Sequence, residues 1–143
     1  IIDKVNNYDT ILIDCPPALG LLTINGLTAA NSVIIPLQCE FFALQGLSEL
    51  MTTIDTIKTN SNKGLSIKGI IRTMYDPRNN LASDVSMQLL KFFDSQVYRT
   101  IIPRNITLAE APSHGMPVIN YDKNSKGALS YLSLVGEIIK QER

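Results

Sequence analysis

A carboxylate stands at the end of an apolar run near the start of the chain: Tyr8-Asp9-Thr10-Ile11-Leu12-Ile13-Asp14, followed by Cys15-Pro16-Pro17 and then Gly20. Residues 10–14 read as a strand buried on both faces, as in a parallel sheet, where a charge is tolerated only at the carboxyl end. Ligands of open α/β sheets sit outside those ends, so Asp14 points to where a nucleotide's phosphates and their Mg²⁺ would lie. Pro16 and Pro17 fix φ and remove two backbone donors, which stops the strand. Gly20 leaves the loop free to change conformation when a phosphate departs. This is the pattern of a metal-holding aspartate beside a switch loop; taken by itself, the same aspartate also fits a helix-capping or loop role.

Further chemistry-bearing residues follow later strands. Gln38, Cys39 and Glu40 end the second strand on the same side as Asp14, where they serve either a ligand or a plain loop. Asp76 and Arg78 share a loop stiffened by Pro77, where an exposed arginine is ordinarily solvated. Pro103-Arg104-Asn105 ends the fourth strand. The Asn105 amide offers both a donor and an acceptor, and the same three residues also make an ordinary type I turn. The one histidine, His114, follows Pro112 and has no nucleophile or metal partner paired with it, so its reading is structural.

The elements that must position these groups alternate along the chain, which calls for a parallel sheet with helices on its faces. Strands are predicted at 10–14, 32–37, 67–74, 97–102 and, briefly, 117–120. Leu44, Leu47, Leu50, Met51, Ile54 and Ile57 form one core-facing helical stripe, and Ala128, Tyr131, Leu132, Val135, Ile138 and Ile139 form another. A further helix over 80–93 turns Leu81, Val85, Leu89 and Phe92 inward. Residues 60–64 are a turn, and Ser125 or Asn124 caps the last helix.

Composition narrows the class. The chain has 143 residues, 45% hydrophobic and 18% charged, ordinary values for one globular domain. Thirteen basic and thirteen acidic residues cancel, so DNA contact needs a local patch rather than a global field. Cys15 and Cys39 lack metal or disulfide spacing, and no apolar run approaches the roughly 20 residues of a bilayer span. The expected location is cytoplasmic, without a membrane partner.

Read in order, Asp14-Cys15-Pro16-Pro17-Ala18-Leu19-Gly20, Ile35-Pro36-Leu37-Gln38-Cys39-Glu40, Asp76-Pro77-Arg78-Asn79-Asn80-Leu81 and Ile102-Pro103-Arg104-Asn105, with Ser113-His114-Gly115, resemble the ParA/Soj family of chromosome and plasmid partition ATPases. The resemblance covers nearly the whole chain but only the carboxyl half of such a protein. It implies a P-loop NTPase fold of the deviant-Walker, SIMIBI-like type lacking its N-terminal half, with residues 1–143 as one portion of the nucleotide-binding domain. It further implies ATP and Mg²⁺ as cofactors. Asp14 would hold Mg²⁺ through water and act in catalysis, and Cys15, Pro16, Pro17 and Gly20 would sense the γ-phosphate. Pro103 and Asn105 would lie at adenine, and Arg78 would bind DNA non-specifically. The implied partners are a second protomer, a ParB-type protein that stimulates hydrolysis, and DNA of the nucleoid. Thr107 and Met116 depart from the family's basic residues and lower the local positive charge.

No Gly-x-x-x-x-Gly-Lys-Ser/Thr run occurs, so the chain by itself is expected not to hydrolyse ATP. The abrupt start at Ile1 reads as a fragment, with residues 1–5 ending a helix, and loss of the P-loop strand is expected to promote self-association. Two other readings are a MinD-like membrane-cycling ATPase, whose basic amphipathic tail is not matched by Ile138-Ile139-Lys140-Gln141-Glu142-Arg143, and a non-catalytic interaction module.

Overall fold

Apolar strands and amphipathic helices do alternate along the chain, as their patterns require. The computed structural model describes residues 8–16 and 18–141. In chain order the elements are α1 (Leu21–Ala29), β1 (Ser32–Gln38), α2 (Ala43–Asn60), β2 (Ser66–Tyr75), α3 (Asn80–Phe93), β3 (Val97–Pro103), α4 (Ile106–Glu110), α5 (Val118–Tyr121) and α6 (Lys126–Gln141). The helix expected at residues 1–5, and Pro17 of the expected switch loop, lie outside the described residues. The strands form one parallel α/β sheet in the order β1-β2-β3. No helix among the described residues is long and apolar enough to cross a membrane.

The chain divides into two compact units, one within Ile1–Val33 and Gly46–Lys68, the other within Ile34–Gln45 and Gly69–Arg143. In the first, Leu47, Ile54 and Ile57 of α2 are buried as the stripe predicts. Asn62 donates its amide to the Leu27 and Ala30 carbonyls at 3.0 and 2.7 Å, satisfying the end of α1. In the second unit, Ile71, Tyr98, Ile102 and Leu134 form one core cluster, with Ile34, Leu108 and Ile138 against it. Cys39, Ala82 and Val85 form another. Gly69 has no side chain because the Tyr98 ring fills that space.

The β2–β3 ladder is irregular in two places. Ile70 pairs with Val97 and Arg72 with Ile101, so two steps of β2 span four of β3. Such a bulge orphans backbone groups, and charged side chains take them here. Arg72, buried in β2, donates to the Tyr98 and Arg99 carbonyls at 3.1 and 3.3 Å and to Ser86 Oγ at 3.0 Å. From α6, the Glu137 carboxylate accepts from the Arg99 and Thr100 amides at 2.6 and 2.9 Å. Burial alone would raise the Glu137 pKa, but hydrogen bonds from Thr100 and Arg99, with the Arg99 charge, hold it below the usual value. The second irregularity, between Arg72 and Tyr75, includes Met74 at φ 49°, a left-handed conformation rare outside glycine.

Four expectations need correction. Residues 10–14 are not a strand; Leu12 is 86% exposed, and the segment joins no sheet among the described residues. An all-apolar strand holds only when neighbours pair its backbone and cover both faces. The brief strand at 117–120 is instead the short helix α5, for Pro117 has a φ of −67° suited to a helix start and its carbonyl accepts from Asn120 and Tyr121. In α6, Gly127, Ala128 and Leu134 face inward, whereas Tyr131, Leu132, Val135 and Ile139 are exposed. Its seat is set by Gly127, where an added Cβ would meet Leu108 Cδ1 at 2.8 Å, and by the Glu137 clamp, not by the widest apolar arc. In α3, Leu81 and Phe92 likewise point outward while Ala82, Val85, Ser86 and Leu89 are buried, because Ser86 turns in to receive Arg72.

Candidate functional site

Outside the carboxyl ends of the strands, the second unit holds a cavity of about 140 Å³. Each strand end contributes to its wall: Cys39 and Glu40 follow β1, Met74 lies near the end of β2 and Asp76 follows it, and Arg104 follows β3, with Asn79 and Ala82 from the start of α3. This is the crevice position expected for a ligand of an open α/β sheet. At this volume it is smaller than the roughly 300–1,000 Å³ of pockets that enclose a whole small-molecule ligand.

The local sequence explains the wall. Asn79 accepts from the Leu81 amide at 3.0 Å and so starts α3. Arg104 continues the β2–β3 contact by donating its amide to the Tyr75 carbonyl at 3.0 Å. Asp76 accepts from Arg78 three times: from the backbone amide and Nε at 3.0 Å each, both to Oδ1, and from Nη2 at 2.7 Å to Oδ2. The Arg78 hydrogen bonds, with smaller help from the Arg78 and Arg104 charges, lower the Asp76 pKa to about 2. The cavity wall therefore carries a fixed anion beside a cation. Burial pushes the Cys39 thiol up, an effect that the Arg72 charge only partly offsets.

The structure brings together Cys39, Glu40, Asp76 and Arg104 of the residues singled out in sequence. Pro103 and Asn105 flank Arg104 without lining the cavity. Asn105 caps α4, its Oδ1 accepting from the Leu108 amide at 3.2 Å. Arg78 has 88% of its side chain exposed. His114 is structural, stacked on Tyr121 with centroids 4.9 Å apart.

Asp14, Pro16 and Gly20 are exposed and Cys15 is half-buried. Their loop is tethered within the first unit: Thr23 Oγ1 donates to the Ala18 carbonyl at 2.7 Å and to that of Pro16 at 3.3 Å. Gly26 lets the loop pass, since a Cβ there would sit 2.9 Å from Cys15 Sγ. Among the described residues, no group of three or more His, Cys, Asp and Glu is placed to hold a metal. A lone exposed carboxylate such as Asp14 is compatible with holding Mg²⁺ through water, a site that mostly keeps its own hydration.

Arg72, Met74 and Asn79 were not anticipated. A charge inside Ile70-Ile71-Arg72-Thr73-Met74 was the available signal for Arg72, and Asn79 before the 80–93 helix was the signal for a cap.

Comparison with known proteins adds the following. A family model described as AAA domain matches residues 1–67. An uncharacterized protein of Pseudomonas putida is 57% identical over 138 residues, 96% of this chain and 52% of that protein. The chromosome-partitioning ATPase Soj of Treponema pallidum is 53% identical, over 96% of this chain and 54% of its own length. Among solved structures, cobyrinic acid a,c-diamide synthase from Mycobacterium smegmatis with bound ATP analog and magnesium superposes with a TM-score of 0.81 at 32% identity, over 99% of this chain and 52% of the synthase. The chain thus spans about half the length of the curated relatives it matches.

Proposed function

The chain is a ParA/Soj-type sequence covering about half of such a protein, with a P-loop NTPase fold, and from that premise we propose that it is the carboxyl portion of a chromosome- or plasmid-partitioning ATPase. The observation that carries this reading is the cavity at the ends of three parallel strands, with Glu40, Asp76 and Arg104 in its wall. ATP and Mg²⁺ are the cofactors of the proposed parent, and Mg-ATP supplies the phosphoryl group that water attacks. The residues of this chain bind and orient. Asp14 holds the metal's water, and Cys15, Pro16, Pro17 and Gly20 respond to the γ-phosphate. The base enters between Met74, Asp76 and Arg104. Asn105 lies next to Arg104 but outside the cavity wall, its Oδ1 held by the α4 cap, so its part in base binding is to fix the turn that places Arg104. Pro103 ends β3 and sets the position of that turn.

In this reading two protomers associate on ATP, the dimer holds DNA without sequence preference through Arg78, and a ParB-type protein stimulates hydrolysis. The protein works in the cytoplasm on the nucleoid. Residues 1–143 alone lack the Gly-Lys phosphate cradle and are inactive. The test of base placement is photo-crosslinking of the full-length parent with an azido-adenine nucleotide. Label is expected in peptides carrying Met74, Asp76 or Arg104, and label confined to peptides outside residues 34–45 and 69–143 overturns the assignment.

A further inference from the structure

Arg78 is exposed, but one edge of its guanidinium is already taken. Its guanidinium presents Nε and Nη2 to the two oxygens of Asp76 at 3.0 and 2.7 Å, the paired-edge geometry with which arginine also grips a phosphate. One edge of the fork serves one such partner at a time. Asp76 in turn is part of the cavity wall with Glu40, Asn79 and Arg104, and its Oδ1 also accepts the Arg78 amide, so the pair closes the loop on itself.

We propose that Asp76 is a latch on Arg78: the carboxylate in the cavity wall holds the Nε/Nη2 edge of the guanidinium, and Arg78 grips a nucleic-acid phosphate with that edge only by leaving it. This rests on the reading of Arg78 as a DNA-contacting residue. The latch gives the two sites a physical connection. A cavity ligand that donates a hydrogen bond to Asp76 competes with Arg78 for the same oxygens, so filling the cavity and freeing the arginine favour each other, and reciprocity requires that phosphate on Arg78 favour the ligand. The exposed pair is weak enough to open and close, as a latch between two states must be.

The test is fluorescence anisotropy of a labelled random-sequence duplex with the purified protein at low, fixed salt. D76N keeps an oxygen for the Arg78 amide, preserving the loop, but removes the ionic hold. It is expected to tighten DNA binding about two- to fivefold, the range an exposed ion pair supports. D84N makes the same change in charge at an exposed position of α3 and is expected to give a smaller gain. R78A is expected to weaken binding, and the D76N/R78A double variant to lose the gain that D76N shows over D84N. If D76N binds no tighter than D84N while R78A still weakens binding, the latch is wrong and the DNA role of Arg78 stands. If R78A changes nothing, both fall.

Discussion

Replacing Glu137 with Gln isolates the clamp that closes the β3 bulge. The carboxylate accepts two backbone amides, at 2.6 and 2.9 Å, with one oxygen each. Glutamine offers one oxygen, and its NH₂ faces the other amide, so one charge-assisted bond is lost and a donor is left against a donor. Bonds to charged groups contribute about 1.5–3 kcal/mol, and this half-buried site belongs at the lower end, giving an expected loss of about 1.5–2 kcal/mol at pH 7. The pH dependence supplies a second, independent readout. The folded pKa of Glu137 lies below its ordinary value of 4.5, so its contribution is fully present above that value and is lost as pH falls through the depressed folded pKa. The gap between wild type and E137Q, measured by urea denaturation, is therefore expected to be full at pH 7 and to shrink as pH falls below the ordinary value of 4.5. A gap under about 0.5 kcal/mol at pH 7, within the range of ordinary surface substitutions, refutes the clamp, as does a gap that stays constant into acid.

Other consequences follow from the same geometry. Leu89→Ala removes a side chain of zero exposure and is expected to cost about 2–5 kcal/mol by the same denaturation assay. Gly127→Ala places a Cβ 2.8 Å from Leu108 Cδ1 and 3.0 Å from Asn105 Oδ1, so a loss of about 1–3 kcal/mol is expected, with altered amide shifts at Leu108 by NMR. The Asp76 carboxyl is expected to titrate near pH 2 by carbon NMR, since its folded pKa is depressed; the Arg78 pair is intact above the ordinary aspartate range and opens only as pH falls through about 2. A midpoint near 4 contradicts the pairing. Exposed Leu12, Leu21 and Leu22 lead us to expect oligomers of residues 1–143 in light scattering, and a monomer at high concentration counts against this.

Most of the scaffold was legible because its signals are local. The helix over 80–93 announced itself by period, and the three strands of the sheet by β-branched runs ended by polar turns. Ser125 caps α6 as its position suggested, accepting from the Ala128 amide at 3.1 Å. What misled was tertiary. The apolar run at 10–14 looks like a strand because its composition suits burial, yet strand formation depends on a pairing partner that sequence does not display. The seats of α3 and α6 were misjudged because a buried arginine and a clamping glutamate outweighed the widest apolar arc. At the site, strand-end logic sends Gln38, Cys39 and Glu40 to the crevice, and Cys39 and Glu40 line the cavity; Asp76 and Arg104, read from sequence only as members of their loops, line it as well, whereas Pro103 and Asn105 do not. It did not find the Asp76–Arg78 pair, because two residues apart in a loop can point anywhere until the backbone is fixed. Nor did it foresee that Asn105 is half-occupied by capping.

The central claim is that this chain supplies Asp14 and the strand-end cavity to a partition-type ATPase, and its most direct test is ATP turnover by the full-length parent, wild type and Asp14→Ala, with and without duplex DNA. Turnover in the wild type that drops to background in the variant, with none from residues 1–143 alone, is the predicted result. Undiminished turnover in Asp14→Ala, or none in the wild type even with DNA and a ParB-type partner present, contradicts it.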